Sequence, residues 1–345
     1  MTCATVLGIA LAACGDSGTA SPGGGDCTPA STGDAKWDKV VKAAQGEGKL
    51  VWYTTLTGQY EDIVAAFRSQ YCIEITGLRL AGADQNQRFQ AEAEADSPLA
   101  DVLTSADPVF LADAVKKGWL ATFDKASLPA LADWPEDYWK DDAYSASVLT
   151  ASGWVYNTQT VSKDEVPQTW EDLLDPKWKG EILYVDPRVQ SNLLATANFW
   201  YNEYGEDFLR QFAKQGFTLM PSAVPSAQQV AAGEKKLVVQ AHPGVIKKLV
   251  DQGAPVSVQV PDVAPLSGDW TAVAKSANNP NAARLLMNWL MTSKGQELTA
   301  GCCALSSALP NVKGAVPLPP RAVPVDPVQA NERKELLFDL LDLPA

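Results

Sequence analysis

The chain has 345 residues, 46% of them hydrophobic, which is enough apolar surface for one or two folded domains and too much for a disordered chain. Its 28 Lys and Arg stand against 41 Asp and Glu, and a formal net charge of -13 argues against nucleic acid as a partner. Overall acidity does not fix the ligand, because a cleft can carry a local sign opposite to that of the whole surface.

The first element is an apolar run from Cys3 to Ala13, too short to span a bilayer and of the length of a signal-peptide core, so residues 1–13 are expected to be removed. The run ends in Leu11-Ala12-Ala13-Cys14-Gly15-Asp16, which is similar to the bacterial lipobox, and this implies that Cys14 becomes a lipidated first residue. The alternative is an ordinary signal peptide with an incidental Cys. No Lys or Arg precedes Lys36, so the positive segment of a signal peptide is expected upstream of Met1. Residues 14–34 are rich in Gly, Ser, Thr and Pro and read as a lipidated Cys with a flexible tether, the folded part beginning near Ala35. Export leaves Cys27, Cys72, Cys302 and Cys303 in an oxidising compartment, where disulfides are the default. Four cysteines allow three pairings. Adjacent Cys302 and Cys303 need a strained local geometry to join each other, so each is expected to reach Cys27 or Cys72.

Trp37, Val40, Val41 and Ala44 recur at helical spacing up to Gly46 and Gly48, and Leu50 to Tyr53 then reads as a buried strand. A polar turn leads to an amphipathic helix bearing Ile63, Val64 and Phe67, followed by a strand at Ile73 to Ile75. A helix around Phe89 and Ala93, a strand at Asp101 to Leu103 and a helix from Val109 to Lys117 come next. A second alternating series begins with Trp154 to Tyr156 and Glu181 to Val185, with helices at Leu193 to Trp200 and Phe208 to Phe212. Leu286, Met287, Leu290 and Met291 mark a helix closed by Lys294-Gly295, the Pro-rich stretch from Pro310 to Pro327 reads as a wrapping loop, and Leu336, Leu337, Leu340 and Leu341 form a last helix. Alternating strands and helices predict α/β architecture with mostly parallel sheets.

In such sheets, loops leaving the carboxyl ends of strands converge on the ligand crevice. The first, with Thr54, Thr55, Thr57, Gly58 and Tyr60, and the second, with Ser105 and Asp107, are hydroxyl-rich and enter helices whose free N–H groups can hold an anion. Plain N-capping by Thr57 or Ser105 is the equally open reading. In the second lobe, Arg188, Gln190, Ser191 and Asn192 form a further helix-entering loop, where Arg188 is either a carboxylate or phosphate clamp or an ordinary surface Arg. Trp154, Tyr156 and Trp270 could wall a cleft or pack a core.

Several strings resemble the type II periplasmic binding proteins, specifically the ferric-iron-binding-like (family 1) group of ABC transporter solute-binding proteins. They are Gly48-Lys49-Leu50-Val51-Trp52-Tyr53-Thr54-Thr55-Leu56, Ala100-Asp101-Val102-Leu103, Gly153-Trp154-Val155-Tyr156-Asn157-Thr158, Pro167-Gln168-Thr169-Trp170 through Trp178-Lys179-Gly180, Ala231-Ala232-Gly233-Glu234 and Ser293-Lys294-Gly295-Gln296-Glu297. The resemblance implies a two-lobed α/β fold with a mixed, mostly parallel sheet in each lobe and a hinge between. Residues 36–150 and 268–330 would form lobe 1, 151–267 lobe 2, and 331–345 a C-terminal helix. It implies a monomeric, extracytoplasmic receptor without cofactor or catalysis, whose closed form is presented to an ABC permease and whose only membrane contact is the lipid anchor. In the iron receptors two adjacent tyrosines after the Gly-Glu segment supply the main ligands, but here that segment runs Val238-Val239-Gln240-Ala241-His242-Pro243-Gly244. The expected cargo is therefore a small polar anionic organic solute, a phosphonate, phosphorylated metabolite or carboxylate, with Gln240 and His242 among its contacts. Ferric iron held by Tyr60 and His242 is the alternative, and an exported enzyme on the same fold, as in the thiaminases, is the remote one.

Overall fold

The computed structural model describes residues 32–343 apart from Thr57, Leu80 and Ala81; the expected signal peptide, Cys14, nearly all of the expected tether and Cys27 lie outside the described residues. Asp34 opens the first helix, α1 (Ala35–Glu47), by accepting from the N–H groups of Lys36 and Trp37 at 2.8 and 3.3 Å. Gly48, at φ 70°, ends it and turns the chain into β1 (Lys49–Thr54). There follow α2 (Tyr60–Tyr71), β2 (Glu74–Leu78), α3 (Gly82–Glu94), β3 (Val102–Ser105), α4 (Pro108–Lys116), β4 (Trp139–Lys140) and β5 (Tyr144–Ala151). The second lobe contains β6 (Gly153–Asn157), β7 (Ile182–Val185), α5 (Ser191–Ala213), β8 (Thr218–Met220), α6 (Ala223–Ala231), β9 (Leu237–Ala241), α7 (Pro243–Asp251) and β10 (Val256–Gln259). The chain then returns through β11 (Val263–Val273), α8 (Pro280–Leu290), α9 (Ser293–Thr299), β12 (Arg321–Pro324), α10 (Pro327–Glu332) and α11 (Lys334–Leu340).

Two sheets result. The larger has the order β2-β1-β3-β11-β5-β4, with β12 beside β11, and the smaller has the order β10-β6-β9-β7-β8. Both are mixed, but they are not mostly parallel: half the pairings in each are antiparallel. The cause is the pair of long crossings, β5 into β6 and β10 into β11, which run between the lobes rather than through helical connections. Gly153 begins β6 where a Cβ would lie 2.1 Å from the Gln259 carbonyl oxygen, so only glycine lets the two crossings pass this closely.

Other departures from the sequence expectations have local causes. Lys294-Gly295 does not close a helix; α8 ends at Leu290, and Thr292 caps α9 by accepting from Gly295 N–H at 3.2 Å. The Pro-rich stretch is not all loop, because Arg321–Pro324 pairs in parallel with β11. Beyond it, α10 and α11 pack on α5 of the second lobe, with Ala330, Leu337 and Leu340 buried and Gln329 Oε1 accepting from Asn198 Nδ2 at 3.0 Å. The two helical stretches expected at Leu193 to Trp200 and Phe208 to Phe212 lie within α5, interrupted by Gly205 at φ 78°.

Each sheet is packed on both faces. Three buried hydroxyls of the first sheet bond one another: Trp52 Nε1 donates to Thr104 Oγ1 at 2.9 Å, which is hydrogen-bonded to Thr271 Oγ1 at 2.6 Å, and Ser147 Oγ also meets Thr271 Oγ1, while the Ser145 hydroxyl has no partner. In the second lobe, the Pro167 to Gly180 string is core. Trp170 is fully buried, lies edge-on to Trp154 and Trp200 at 5.1 and 5.0 Å, and donates its Nε1–H to the Val263 carbonyl at 2.9 Å.

Cys302 and Cys303 are joined to each other, which corrects the expectation that each reaches a distant cysteine. The 3₁₀ turn at Gly301–Cys303, followed by Ala304 in the left-handed region at φ 53°, lets neighbouring residues bring their sulfurs together. Cys72 is also disulfide-bonded.

Candidate functional site

The ends of β7, β8 and β9 face the crossing strands over a cleft of about 270 Å³. From the second lobe, the cleft takes the starts of three helices. Their N-cap residues are Gln190 for α5, Ser222 for α6 and His242 for α7, and none of the three side chains caps its own helix. The N–H groups of Ser191, Asn192, Ala223, Val224 and Gly244 have no intrahelical acceptor, whereas Leu193 and Val245 bond the Gln190 and His242 carbonyls and Pro225 and Pro243 carry no N–H, so three positive helix ends point into one space. No Lys or Arg lines it among the described residues.

The opposite wall comes from the first lobe and the hinge. Thr150, Ser152 and Ser267 line it together with Asp269, a carboxylate in β11. Asp269 accepts from Thr55 Oγ1 at 2.6 Å, and among the described residues no Lys or Arg pairs with it. Burial pushes its pKa above the ordinary carboxylate value, against which the Thr55 hydrogen bond acts.

Gln240 is 3% exposed and held at φ 62°. Its Nε2 donates to the Leu193 carbonyl at 3.0 Å and approaches the Tyr184 hydroxyl at 3.3 Å, which fixes the amide and leaves Oε1 without a partner. His242 is partly buried, its Nδ1 is also unpartnered, and burial lowers its pKa to about 4, so the ring is neutral at pH 7. His242 and Leu305 line both this cleft and a second cavity of about 390 Å³ bounded by residues 316–320. Gly244 closes the corner: a Cβ there would lie 3.1 Å from the Cys303 carbonyl oxygen and 2.9 Å from Leu305 Cδ2, so the disulfide turn rests on the start of α7.

Of the residues expected from sequence, Gln190, Asn192, Gln240 and His242 line the cleft, and Ser191 lies at its rim beside Arg188. Thr55 reaches it only through Asp269. Thr57 is outside the described residues. The rest are placed elsewhere. Thr54 is fully buried and accepts from Leu56 N–H at 3.0 Å, Gly58 is exposed in a turn, and Ser105 donates to Asn86 Oδ1 at 3.0 Å inside the lobe. Asp107 caps α4 by accepting from Val109 and Phe110 N–H, which favours the capping reading of that loop and assigns it to Asp107 rather than Ser105. Arg188 is no ligand clamp in this form, because it forks onto Asp186 with Nη2 to Oδ2 at 2.6 Å and Nε to Oδ1 at 2.9 Å, holding that carboxyl below its usual range. Tyr156 packs against the second core, and Trp270 lies edge-on to Tyr144 at 5.7 Å beside a neighbouring cavity.

Tyr60 corrects the alternative metal set. It is 7% exposed, its hydroxyl lies over Gly77 and donates to the Ile75 carbonyl at 3.5 Å, and it is not brought together with His242. Tyr184, the tyrosine nearest the cleft lining through Gln240, is fully buried, and desolvation raises its pKa well above 10, so it does not supply a phenolate. The donors present do not fit ferric iron as cargo. The residue sequence reasoning missed is Asp269. Its signal was a lone acid in the otherwise uncharged strand Val263 to Val273, next to the aromatic that drew attention.

The chain matches the family of bacterial extracellular solute-binding proteins over residues 97–326. It is 26% identical over 273 residues to an uncharacterised protein of Haemophilus influenzae, covering 75% of this chain and 77% of that one. A periplasmic protein of Salmonella typhimurium named for 2-aminoethylphosphonate binding is 32% identical over 94 residues, 27% of this chain and 25% of the relative. Among solved structures, iron-bound HitA from Pseudomonas aeruginosa superposes with a TM-score of 0.69 at 18% identity, covering 85% of this chain and 99% of that one. AfuA from Actinobacillus pleuropneumoniae with fructose-6-phosphate bound superposes with a TM-score of 0.60 at 21% identity, covering 86% of this chain and all of that one. At these identities the structural likeness is one of fold, two lobes around a cleft. The family match spans most of the folded part, and the chain belongs to the bacterial extracellular solute-binding proteins.

Proposed function

We propose that this chain is the receptor of an ABC importer that captures a small anionic organic solute, closes its lobes on it and delivers it to a membrane permease while tethered through a lipidated Cys14. The observation that carries the ligand class is the convergence of three helix starts, at Gln190, Ser222 and His242, none capped by its own side chain, on one small cleft. Each such end favours an anion by about 0.3–1 kcal/mol, and more where water is excluded. The relative named for 2-aminoethylphosphonate and the neighbour holding a sugar phosphate support the same class. Hinge closure follows from the crossings, because a ligand touching both walls binds the closed form better than the open one and shifts the population toward it.

Mass spectrometry of solute retained by the natively purified protein tests this, together with melting curves against phosphonates, sugar phosphates, carboxylates, sugars and ferric citrate. An anionic solute in the retained fraction and a rise in melting temperature with one anionic class are expected. A shift only with neutral sugars, or a coloured ferric complex, refutes the anionic reading.

A further inference from the structure

The cleft has two faces of opposite electrostatic character, and the anionic reading uses only one. On the second lobe are helix starts, which are hydrogen-bond donors. On the hinge strand is Asp269, whose side chain meets the Thr55 hydroxyl and which no Lys or Arg of the cleft lining neutralises, the His242 ring of the same lining being uncharged at pH 7. Gln240, in β9 of the second lobe, also lines the cleft, but its Oε1 is buried out of solvent without a partner while its Nε2 is held by the Leu193 carbonyl and the Tyr184 hydroxyl.

A cavity of about 270 Å³ is at the small end for ligand sites, so an anion seated on the helix starts lies within several ångströms of the Asp269 carboxylate. Two like charges at that separation cost on the order of a hundredfold in affinity at the effective dielectric of a partly buried site. A solute that is only an anion leaves this carboxylate repelling it.

Resting on the anionic reading of the same cleft, we infer that the ligand is a short zwitterion, an ammonium joined by a few bonds to a phosphonate, phosphate or carboxylate. Its ammonium is received by the Asp269 carboxylate, and its anionic end sits at the starts of α5, α6 and α7. The geometry orients the solute: amine toward the hinge strand, acid toward the second lobe. Closing on it joins the walls through one molecule carrying both charges. Asp269 then acts as the specificity residue, excluding anions of similar size that lack the amine.

The test is calorimetric titration of the purified full chain with matched pairs: 2-aminoethylphosphonate against ethylphosphonate, and β-alanine against propionate. In the wild type, the amine-bearing member of the better-bound pair is expected to bind at least about tenfold tighter, the scale of a charge-assisted hydrogen bond to a buried carboxylate. Asp269→Asn is expected to remove that preference while leaving the amine-free member bound as well or better. Because the wild-type comparison needs no variant, a misfolded Asp269→Asn does not blunt it, and Thr55→Val, which keeps the carboxylate, is expected to retain the preference. Equal binding of the two members by the wild type overturns the inference and leaves the anionic reading standing, with Asp269 then a protonated donor to the anion. A preference that survives in Asp269→Asn also overturns it, since another group then reads the amine. If neither member of either pair binds while a neutral solute does, both readings fall.

Discussion

His242 should make the stability of this receptor fall in mild acid. The imidazole is the chain's single histidine, it sits at the start of α7 with Nδ1 unpartnered, and burial lowers its pKa from 6.5 to about 4. A protonated ring there would be desolvated and placed at the positive end of a helix. The folded pKa lies below the unfolded one, so between pH 6.5 and 4 the unfolded chain binds a proton that the folded chain refuses. Stability is therefore complete above the unfolded value and is lost as pH falls through this window. Full burial gives a ceiling of about 3 kcal/mol, of which about 2 is lost between pH 7 and pH 5, and the ring's partial opening to the cleft trims this toward about 1. Asp269 works in the opposite sense: its pKa is raised, so the folded chain takes up a proton first and that contribution grows as pH falls. A single curve mixes these and every other carboxylate. The clean measurement is a difference of differences, urea unfolding of wild type and His242→Gln at pH 7 and at pH 5. The variant is expected to lose about 1–2 kcal/mol less than wild type over that interval. Parallel losses in the two proteins would refute the argument and show that the ring is solvated in the fold.

Trp170→Ala should cost about 3–5 kcal/mol, read from the urea midpoint, because it empties the centre of the second-lobe aromatic cluster and orphans the Val263 carbonyl at the crossing strand. Asp101→Ala should cost about 3 kcal/mol: this buried carboxylate accepts from Val51 N–H at 2.8 Å, Asn279 N–H at 2.8 Å and Asn279 Nδ2 at 3.0 Å, and those donors would be left unmet. Asp101→Asn keeps one acceptor oxygen and should cost clearly less, in the same assay. Alkylation of the unreduced, denatured protein should leave Cys302 and Cys303 unlabelled and their shared peptide two hydrogens lighter than after reduction; labelling of either contradicts the pairing.

How much of this was legible in the sequence depended on whether a residue's role was local. Helices with an apolar face, such as the one bearing Ile63 and Phe67, and short strands such as Leu50 to Tyr53 announce themselves, since their periodicity is set by the backbone they adopt. The crossings β5 and β11 did not. They are largely buried yet carry Ser145, Ser147 and Thr271, of which Ser147 and Thr271 bond each other and Thr104 across the sheet while the Ser145 hydroxyl has no partner, so neither alternation nor an apolar run marks them. The disulfide was misread because the cost of joining neighbours was weighed without the turn that Ala304 allows.

The site divides along the same line. Gln190, Asn192 and His242 were found because a strand-to-helix loop is a local pattern and the ligand crevice lies at its mouth. Tyr60 was misplaced by the same rule, since its loop does lie at a strand end but its side chain turns under the sheet onto Gly77. Asp269 has no local signature at all. Its meaning comes from what stands opposite, three helix starts supplied by residues between 27 and 79 positions earlier in the chain, and from the absence of any Lys or Arg along the cleft among the described residues. A single carboxylate in a strand is an anomaly until the two lobes are set face to face. Then the same residue makes the cleft selective, because a site that offers donors on one wall and an unpaired acceptor on the other discriminates against any solute carrying only one charge.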